Sequence, residues 1–287
     1  SKRKFHVIIP THSAHDTLSS AVKSALNQTF PPYRVTIIGD GVSEEVRKVA
    51  SDLSNQFAVV EFRDCPKLKN RGERYRDEVI KESSADYISY LCDDDLLIPN
   101  HLAKMAEHLE QYDFVHPRPT FFASNGDVTF LPSGIEIPRI RNWHTLNPPQ
   151  NSISLTGASH TRESYLNLPN GWSAGPEQVW TDLFMWVKFF EDPKLRTLTT
   201  PETTTIKILY TKQERDLLIR TPIIRHWMEI ISDPKRLDDL QAQLETAYKE
   251  SLFDNSRRVA SFVKILDLSL RLKLAVRRTI IKFGLKG

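Results

Sequence analysis

The chain has no stretch approaching the roughly 20 apolar residues that a membrane-spanning helix needs. Its N-terminus, SKRKFHVIIPTH, is too short in its apolar part to read as a signal peptide, so a cytoplasmic protein is expected. There are only two cysteines, Cys65 and Cys92, with no second pair to build a metal knuckle. They read as reduced thiols rather than a disulfide framework. Glycine is scarce at 10 of 287 residues, and none falls between Thr11 and Asp16, where a phosphate-cradling loop would want it. Net charge is small, at +3, but unevenly spread. Residues 255–287 hold nine Lys/Arg against one acid, Asp267, so the rest of the chain is mildly acidic. That balance excludes a general nucleic-acid binder, whose cations would line a working groove. It assigns the basic tail an anionic partner of its own.

What is present is an α/β pattern. Phe5–Pro10, Val35–Ile38, Ala58–Phe62 and Tyr87–Leu91 read as strands. Helices are expected where Leu18, Ala21, Val22, Ala25 and Leu26 share a face behind a cap at Asp16 or Thr17, over Arg71–Lys81, and over Pro99–Leu109. Such alternation implies a mostly parallel, doubly wound sheet, with the loops after Pro10, Ile38 and Leu91 converging on one site. From Val115 to Gly175 the periodicity breaks, apart from a hairpin turn at Asn125-Gly126. It returns at Pro176–Phe190, and the remainder is helical, with Arg236–Leu252 amphipathic. The expected division is a catalytic domain over 1–215, in halves 1–115 and 116–215, and a helical extension over 216–287.

The strongest chemical signal is LCDDDLLIP, residues 91–99. Three successive carboxylates at a strand's end repel one another unless something compensates them, and a hard divalent cation does so with oxygen ligands. Asp93 with Asp95, or Asp94 with Asp95, would serve; a solvated acidic turn capping the next helix is the alternative.

VIIPTHSAHDTLSSAVKSALNQTFPPYRVTIIGDGVSEE, NRGERYRDEVI and the DDD-x-x-x-Pro segment together resemble the family-2 glycosyltransferases, and TDLFMWVKF resumes the likeness. The resemblance implies a GT-A fold, Rossmann-like with a central sheet flanked by helices. It further implies inverting transfer from a UDP- or dTDP-sugar with Mn²⁺ or Mg²⁺. It places Pro10, Thr11 and Asp40 at the nucleobase and Arg76 near the base or diphosphate. Asp93, Asp94 and Asp95 fall at the ribose and metal, with Asp95 the preferred direct metal ligand. Asp182 matches the family's catalytic aspartate, with Thr181 in place of the preceding glutamate. Asp182 also lies on the edge of an apolar helical stripe beside Trp180 and Trp186, where burial would raise its pKa as a base requires. Glu177 is the alternative base.

Several further residues carry two readings. His160 and Arg162 sit where an acceptor-side loop is expected, although a lone histidine also serves a core. His226 completes the metal shell or packs beside a tryptophan. Trp143, Trp172 and Trp180 stack on sugars or fill the core. The acceptor implied is a glycan or lipid-linked glycan of bacterial surface polysaccharide, and an oligomer is compatible with the pattern. Lys264, Arg271, Arg278 and Lys282 fall within about 40° on a helix, opposite Ile265, Leu272, Val276, Ile280 and Phe283. That pattern suits a helix lying on the anionic inner face of a membrane, or one packed on another protein surface. The rival readings of the whole chain are a nucleotidyltransferase and a catalytically silent module of the same fold.

Overall fold

The computed structural model describes residues 3–69, 71–146, 150–216 and 219–255. A seven-stranded sheet comprises β1 (Phe5–Thr11), β2 (Arg34–Asp40), β3 (Val60–Cys65), β4 (Tyr87–Tyr90), β6 (Phe114–His116), β9 (Ser159–Thr161) and β10 (Thr197–Thr199). Their order is β10-β6-β9-β4-β1-β2-β3. The β3, β2, β1 and β4 strands are parallel, while β9 runs antiparallel between β4 and β6. β1 is central and buried along nearly its whole length, which is why FHVIIPT reads as a continuous apolar run rather than an alternating one. Its successive residues serve opposite faces. Phe5, Val7 and Ile9 pack with α1 (Leu18–Leu26), α2 (Glu44–Gln56) and α4 (His101–Leu109), while Ile8 packs with α3 (Glu73–Glu82), α6 (Arg162–Asn167) and α7 (Thr181–Glu191).

A second sheet has the order β5-β11-β7-β8, from β5 (Leu96–Leu97), β7 (Thr120–Ala123), β8 (Val128–Phe130) and β11 (Thr205–Leu209). The expected hairpin at Asn125-Gly126 joins β7 to β8, with Gly126 at φ 93°. β5 follows the acidic triplet directly and pairs antiparallel with β11, Leu97 opposite Thr205 and Leu96 opposite Ile206. That register carries residue 207 to the triplet.

Three local expectations shift. The helix expected from Pro176 begins at Thr181, because Trp180 is extended at ψ 135° and cannot continue a helical turn. Thr17 holds the N-cap position of α1 but makes no capping bond, and Asp16 is engaged elsewhere. The irregular segment after Val115 holds β6 to β9, α5 (Pro138–Trp143) and α6, elements of three to six residues that are too short to show a period.

The first compact unit is Ser1–Leu237, past the boundary expected at residue 215. It includes α8 (Lys212–Asp216) and α9 (Thr221–Ser232), the latter held by Trp227 packed edge-on against Phe122 at 4.9 Å. The second unit is 238–287; its residues 238–255 are helical, and the basic tail from 256 onward lies outside the described residues. No helix among the described residues is long and apolar enough to cross a membrane.

Candidate active site

The loops at the carboxyl ends of β1, β2 and β4 bring together Thr11, Asp40 and the Asp93–Asp95 triplet, and β11, α3 and α7 add Lys207, Arg76 and Asp182. Asp95 is fully buried. Its Oδ2 accepts from Lys207 Nζ at 2.9 Å and from the Thr156 hydroxyl, and its Oδ1 from the Ile208 amide at 2.9 Å. Burial disfavours the Lys207 ammonium, but Asp95, Cys92 and Asp94 outweigh that and hold its pKa well above the usual lysine range. Asp94 is less enclosed. Arg220 Nη1 lies 3.3 Å from its Oδ2, while the rest of that guanidinium clasps Asp16, Nη2 to Oδ1 at 2.6 Å and Nε to Oδ2 at 3.2 Å. Two protein cations thus already compensate part of the triplet's repulsion, which answers in another way the electrostatic argument for a divalent ion. Asp93 is raised chiefly by burial and next by Asp94, with the Thr11 hydroxyl opposing.

Beside the triplet, a sulfur of Cys92 and one carboxylate oxygen each from Asp94 and Asp95 lie within 4.8 Å of one another. Burial raises the Cys92 thiol, keeping it protonated. The two carboxylates suit a hard divalent cation, and Asp94 has the more accessible oxygens. Arg76 is buried across the face of Trp172, 4.7 Å from the ring centroid. Its Nη2 donates to the Arg71 carbonyl at 2.9 Å, whereas Nε and Nη1 are buried with no hydrogen-bond partner. Burial lowers its pKa, while Glu73, Tyr90, Cys92 and Asp182 act in the opposite sense. An unspent buried guanidinium points to an anionic ligand, because leaving such N–H groups unmade is costly.

Asp182 opens α7. Its Oδ1 accepts from the Leu183 amide at 2.8 Å and the Asn151 amide nitrogen at 3.4 Å. Burial raises its pKa, against Leu183, Lys207 and Arg76. Trp180, one of its expected apolar neighbours, is 51% exposed; Trp186 lies in the core.

A family model for glycosyl transferase family 2 matches residues 6–166, more than half of the chain. The chain belongs to glycosyl transferase family 2. It is 32% identical over 114 residues to YwdF of Bacillus subtilis, an uncharacterized glycosyltransferase, covering 39% of this chain and 41% of YwdF. It is 28% identical over 103 residues to WfgD of Escherichia coli, a UDP-Glc:alpha-D-GlcNAc-diphosphoundecaprenol beta-1,3-glucosyltransferase, covering 33% and 37%. The chain therefore spans about two fifths of the length of these relatives. Mannosyltransferase PcManGT of Pyrobaculum calidifontis, solved with GDP-Man and Mn²⁺, superposes with a TM-score of 0.51 at 12% identity, over 84% of this chain and 69% of PcManGT. That likeness places the α/β architecture among the GT-A folds.

Among the other expected site residues of this family 2 chain, His160, Arg162, His226 and Glu177 lie outside the group around the triplet. His160 is fully buried on β9, its Nε2 bonded to the Tyr90 hydroxyl at 2.8 Å and its Nδ1 to the Thr161 carbonyl at 2.9 Å. It is a core residue, with neither nitrogen open to an acceptor. Arg162 donates to the carbonyls of Ile80 at 2.8 Å and Lys81 at 2.6 Å, closing the end of α3. It also borders a depression of about 830 Å³ with Arg3, Tyr87 and Asp113, at the end of β4 opposite the triplet, so it too is corrected from the acceptor side. His226 is exposed on α9 with its ring edge-on to Trp227, and it takes no part in the Cys92–Asp94–Asp95 group. Glu177 is exposed in the loop before α7. Asp40 is buried, with its carboxylate accepting from Lys67 Nζ and, at 2.9 Å, from the Leu68 amide. It anchors the 67–72 loop. Pro10 and Thr11 close β1 opposite Ile38 and Gly39.

Sequence reasoning missed Lys207, Arg220, Asp16, Thr156 and Asn151. The one available signal was a lysine inside the otherwise apolar strand TIKIL.

Burial pushes His160 down to about 4, so it is neutral when folded at any pH above that. The unfolded chain regains an ordinary imidazole and binds the proton first as pH falls below about 6.5. Native stability is therefore lost from about pH 6.5 down to about 4, at about 1.4 kcal/mol per pH unit for this one group. Urea titrations at pH 7 and pH 5 should show His160→Gln losing about 2 kcal/mol less stability between the two than the parent, since the linkage acts over only about 1.5 pH units of that interval; an equal loss in both contradicts the assignment.

Proposed function

We propose that this chain transfers a sugar, with inversion, from a UDP- or dTDP-sugar to a hydroxyl of a glycan or lipid-linked acceptor. The observation that carries the reading is the pairing of Arg76, buried with two unspent N–H groups, with Asp182, a half-buried carboxylate of raised pKa. One group awaits an anion; the other is tuned to take a proton. The donor's diphosphate is assigned to Arg76, with Lys207 contributing charge. Its nucleobase lies toward Pro10, Thr11 and Asp40, and its ribose toward Asp93. Asp182 removes the acceptor hydroxyl's proton while that oxygen bonds to the anomeric carbon and the bond to the nucleoside diphosphate breaks. With one base and no enzyme nucleophile, the displacement is single and inverting.

A divalent cation, Mn²⁺ or Mg²⁺, would be held by Asp94 with Asp93 or Asp95, and when bound it neutralises charge at the leaving diphosphate. Asp94 replaces Asp95 as the preferred ligand, since Asp95 is already bonded to Lys207, Thr156 and Ile208. The Mn²⁺ in PcManGT and the UDP-Glc and diphosphoundecaprenol-linked acceptor of WfgD support the same assignments. The test is nucleoside diphosphate release from a panel of UDP- and dTDP-sugars with Mn²⁺; a chain that releases none and is not stabilised by any of them is a silent module. Donor at 100 times its dissociation constant should stabilise the fold by about 2.7 kcal/mol.

The basic tail is proposed as a peripheral membrane contact, since residues 255–287 carry nine cations against one acid. Each cation near an anionic surface contributes about 1 kcal/mol. The full chain should sediment with phosphatidylglycerol vesicles at low salt, and a chain lacking residues 257–287 should not. Equal behaviour of the two removes the tail from membrane binding.

A further inference from the structure

The two carboxylate oxygens of Asp182 are held differently. Oδ1 accepts from the Leu183 amide at 2.8 Å and from Asn151 Nδ2 at 3.4 Å. Oδ2 receives no hydrogen bond from any other residue among the described ones. It is not sealed in the interior either, because Asp182 is half-buried and Oδ2 stays open to solvent. The charged groups that face this carboxylate are Lys207 from β11 and Arg76 from α3, and neither donates to it.

Asn151 is oriented so that its nitrogen, not its oxygen, meets Asp182. Its Oδ1 accepts from the Ile153 amide at 2.9 Å, an Asx-type turn that leaves Nδ2 as the free donor. The backbone on either side is pinned. His144 Nδ1 bonds the Gln150 carbonyl at 2.9 Å, and Ile153 is fully buried in the core. Further along, the Thr156 hydroxyl accepts from the Cys92 amide at 3.0 Å and donates to Asp95 Oδ2. The 151–156 segment thus runs from the proposed base to the acidic triplet, with a side-chain contact at each end.

We infer that Asn151 is a positioning residue for the base: with the Leu183 amide it holds Oδ1, so that Oδ2 is the oxygen presented to the acceptor. The inference rests on the proposed function. Oδ2 takes the hydroxyl proton as the acceptor oxygen bonds to the anomeric carbon, and the electron pair of the broken C–O bond leaves with the nucleoside diphosphate. Because the same segment grips Asp95 and the Cys92 amide, Asn151 also sets the base relative to the end of β4. Hydrogen bonds to a carboxylate favour its ionised form, so losing Nδ2 should raise the pH at which Asp182 takes a proton.

Asn151→Ser separates positioning from a merely local role. A serine hydroxyl still accepts from the Ile153 amide, as in an ST turn, but is too short to reach Asp182. This variant should keep the parent's urea midpoint and hold the nucleotide-sugar KM within about twofold, while kcat falls by about tenfold or more. Asn151→Asp keeps the turn and sets a like charge beside Asp182, so the acidic limb of its kcat profile should move up by about one pH unit or more. Should Asn151→Ser lose its fold, Asn151→Asp supplies both readouts. Neither variant depends on turnover alone. In ¹³Cγ NMR of the aspartate-labelled full chain, with the Asp182 resonance identified by its loss in Asp182→Asn, both should show a higher Asp182 midpoint than the parent. A kcat in Asn151→Ser within about twofold of the parent, or an Asp182 midpoint that neither variant moves, overturns the inference. A parent that transfers no sugar counts against the proposed function alone, since the NMR midpoints still decide the role of Asn151.

Discussion

Asp182→Asn will lower sugar transfer by roughly 10²–10⁴-fold, the range for loss of a positioned base, while nucleotide binding stays near that of the parent. The substitution keeps the side chain's shape and its acceptor toward the Leu183 amide, so the first turn of α7 is preserved. What it removes is a proton acceptor. The parent's pH profile should carry the same residue's signature. A base works deprotonated, and burial raises Asp182, so activity should fall on acidification at a pH above the ordinary carboxylate range. Arg76 and Lys207 moderate that rise through their positive charge. Turnover of the variant within a factor of a few of the parent would move the role to Glu177, whose Glu177→Gln variant is then the one to lose activity.

Lys207→Met is expected to destabilise the first compact unit by about 3–5 kcal/mol, the cost of leaving a buried charge without its partner. Asp95 is fully buried and Lys207 Nζ lies 2.9 Å from it, so no water replaces the lost ammonium. The Thr156 hydroxyl and Ile208 amide remain, but neither carries a full charge. Adding Asp95→Asn should recover much of the loss, since a neutral amide has no charge to strand; the two substitutions share one interaction and are not additive. Urea unfolding of the parent, both single variants and the double variant closes the cycle. A loss below about 1 kcal/mol in Lys207→Met would mean that Asp95 protonates at little cost, and that the pair does not organise the triplet.

The parallel half of the sheet was legible because its strands are covered on both faces. A run such as FHVII or YISYL then has to be apolar throughout, and the loop that follows it marks the end where ligands bind. The acidic triplet was legible for a related reason, as three carboxylates closing an apolar strand. Asp182 was singled out by the family resemblance, with its edge position on α7 in support, although its neighbour Trp180 proved exposed. His160 and Arg162 were misplaced because a histidine in a short strand gives no period from which to judge its face. The antiparallel insertion of β9 between β4 and β6 buries His160 against Tyr90 and Tyr165.

From the sequence alone came the α/β class, the family resemblance, the triplet at the end of β4, the candidate base Asp182 and the basic character of the tail. These depend on local composition and periodicity or, for the family and Asp182, on the likeness of short motifs. Only the tertiary structure decided which charges neutralise the triplet. Lys207 meets Asp95 through the register of β5 against β11, and Arg220 reaches Asp94 and Asp16 from the turn before α9. Those partners lie more than a hundred residues from the triplet in sequence. A pairing across that distance is set by strand register and helix docking, neither of which leaves a mark in local pattern.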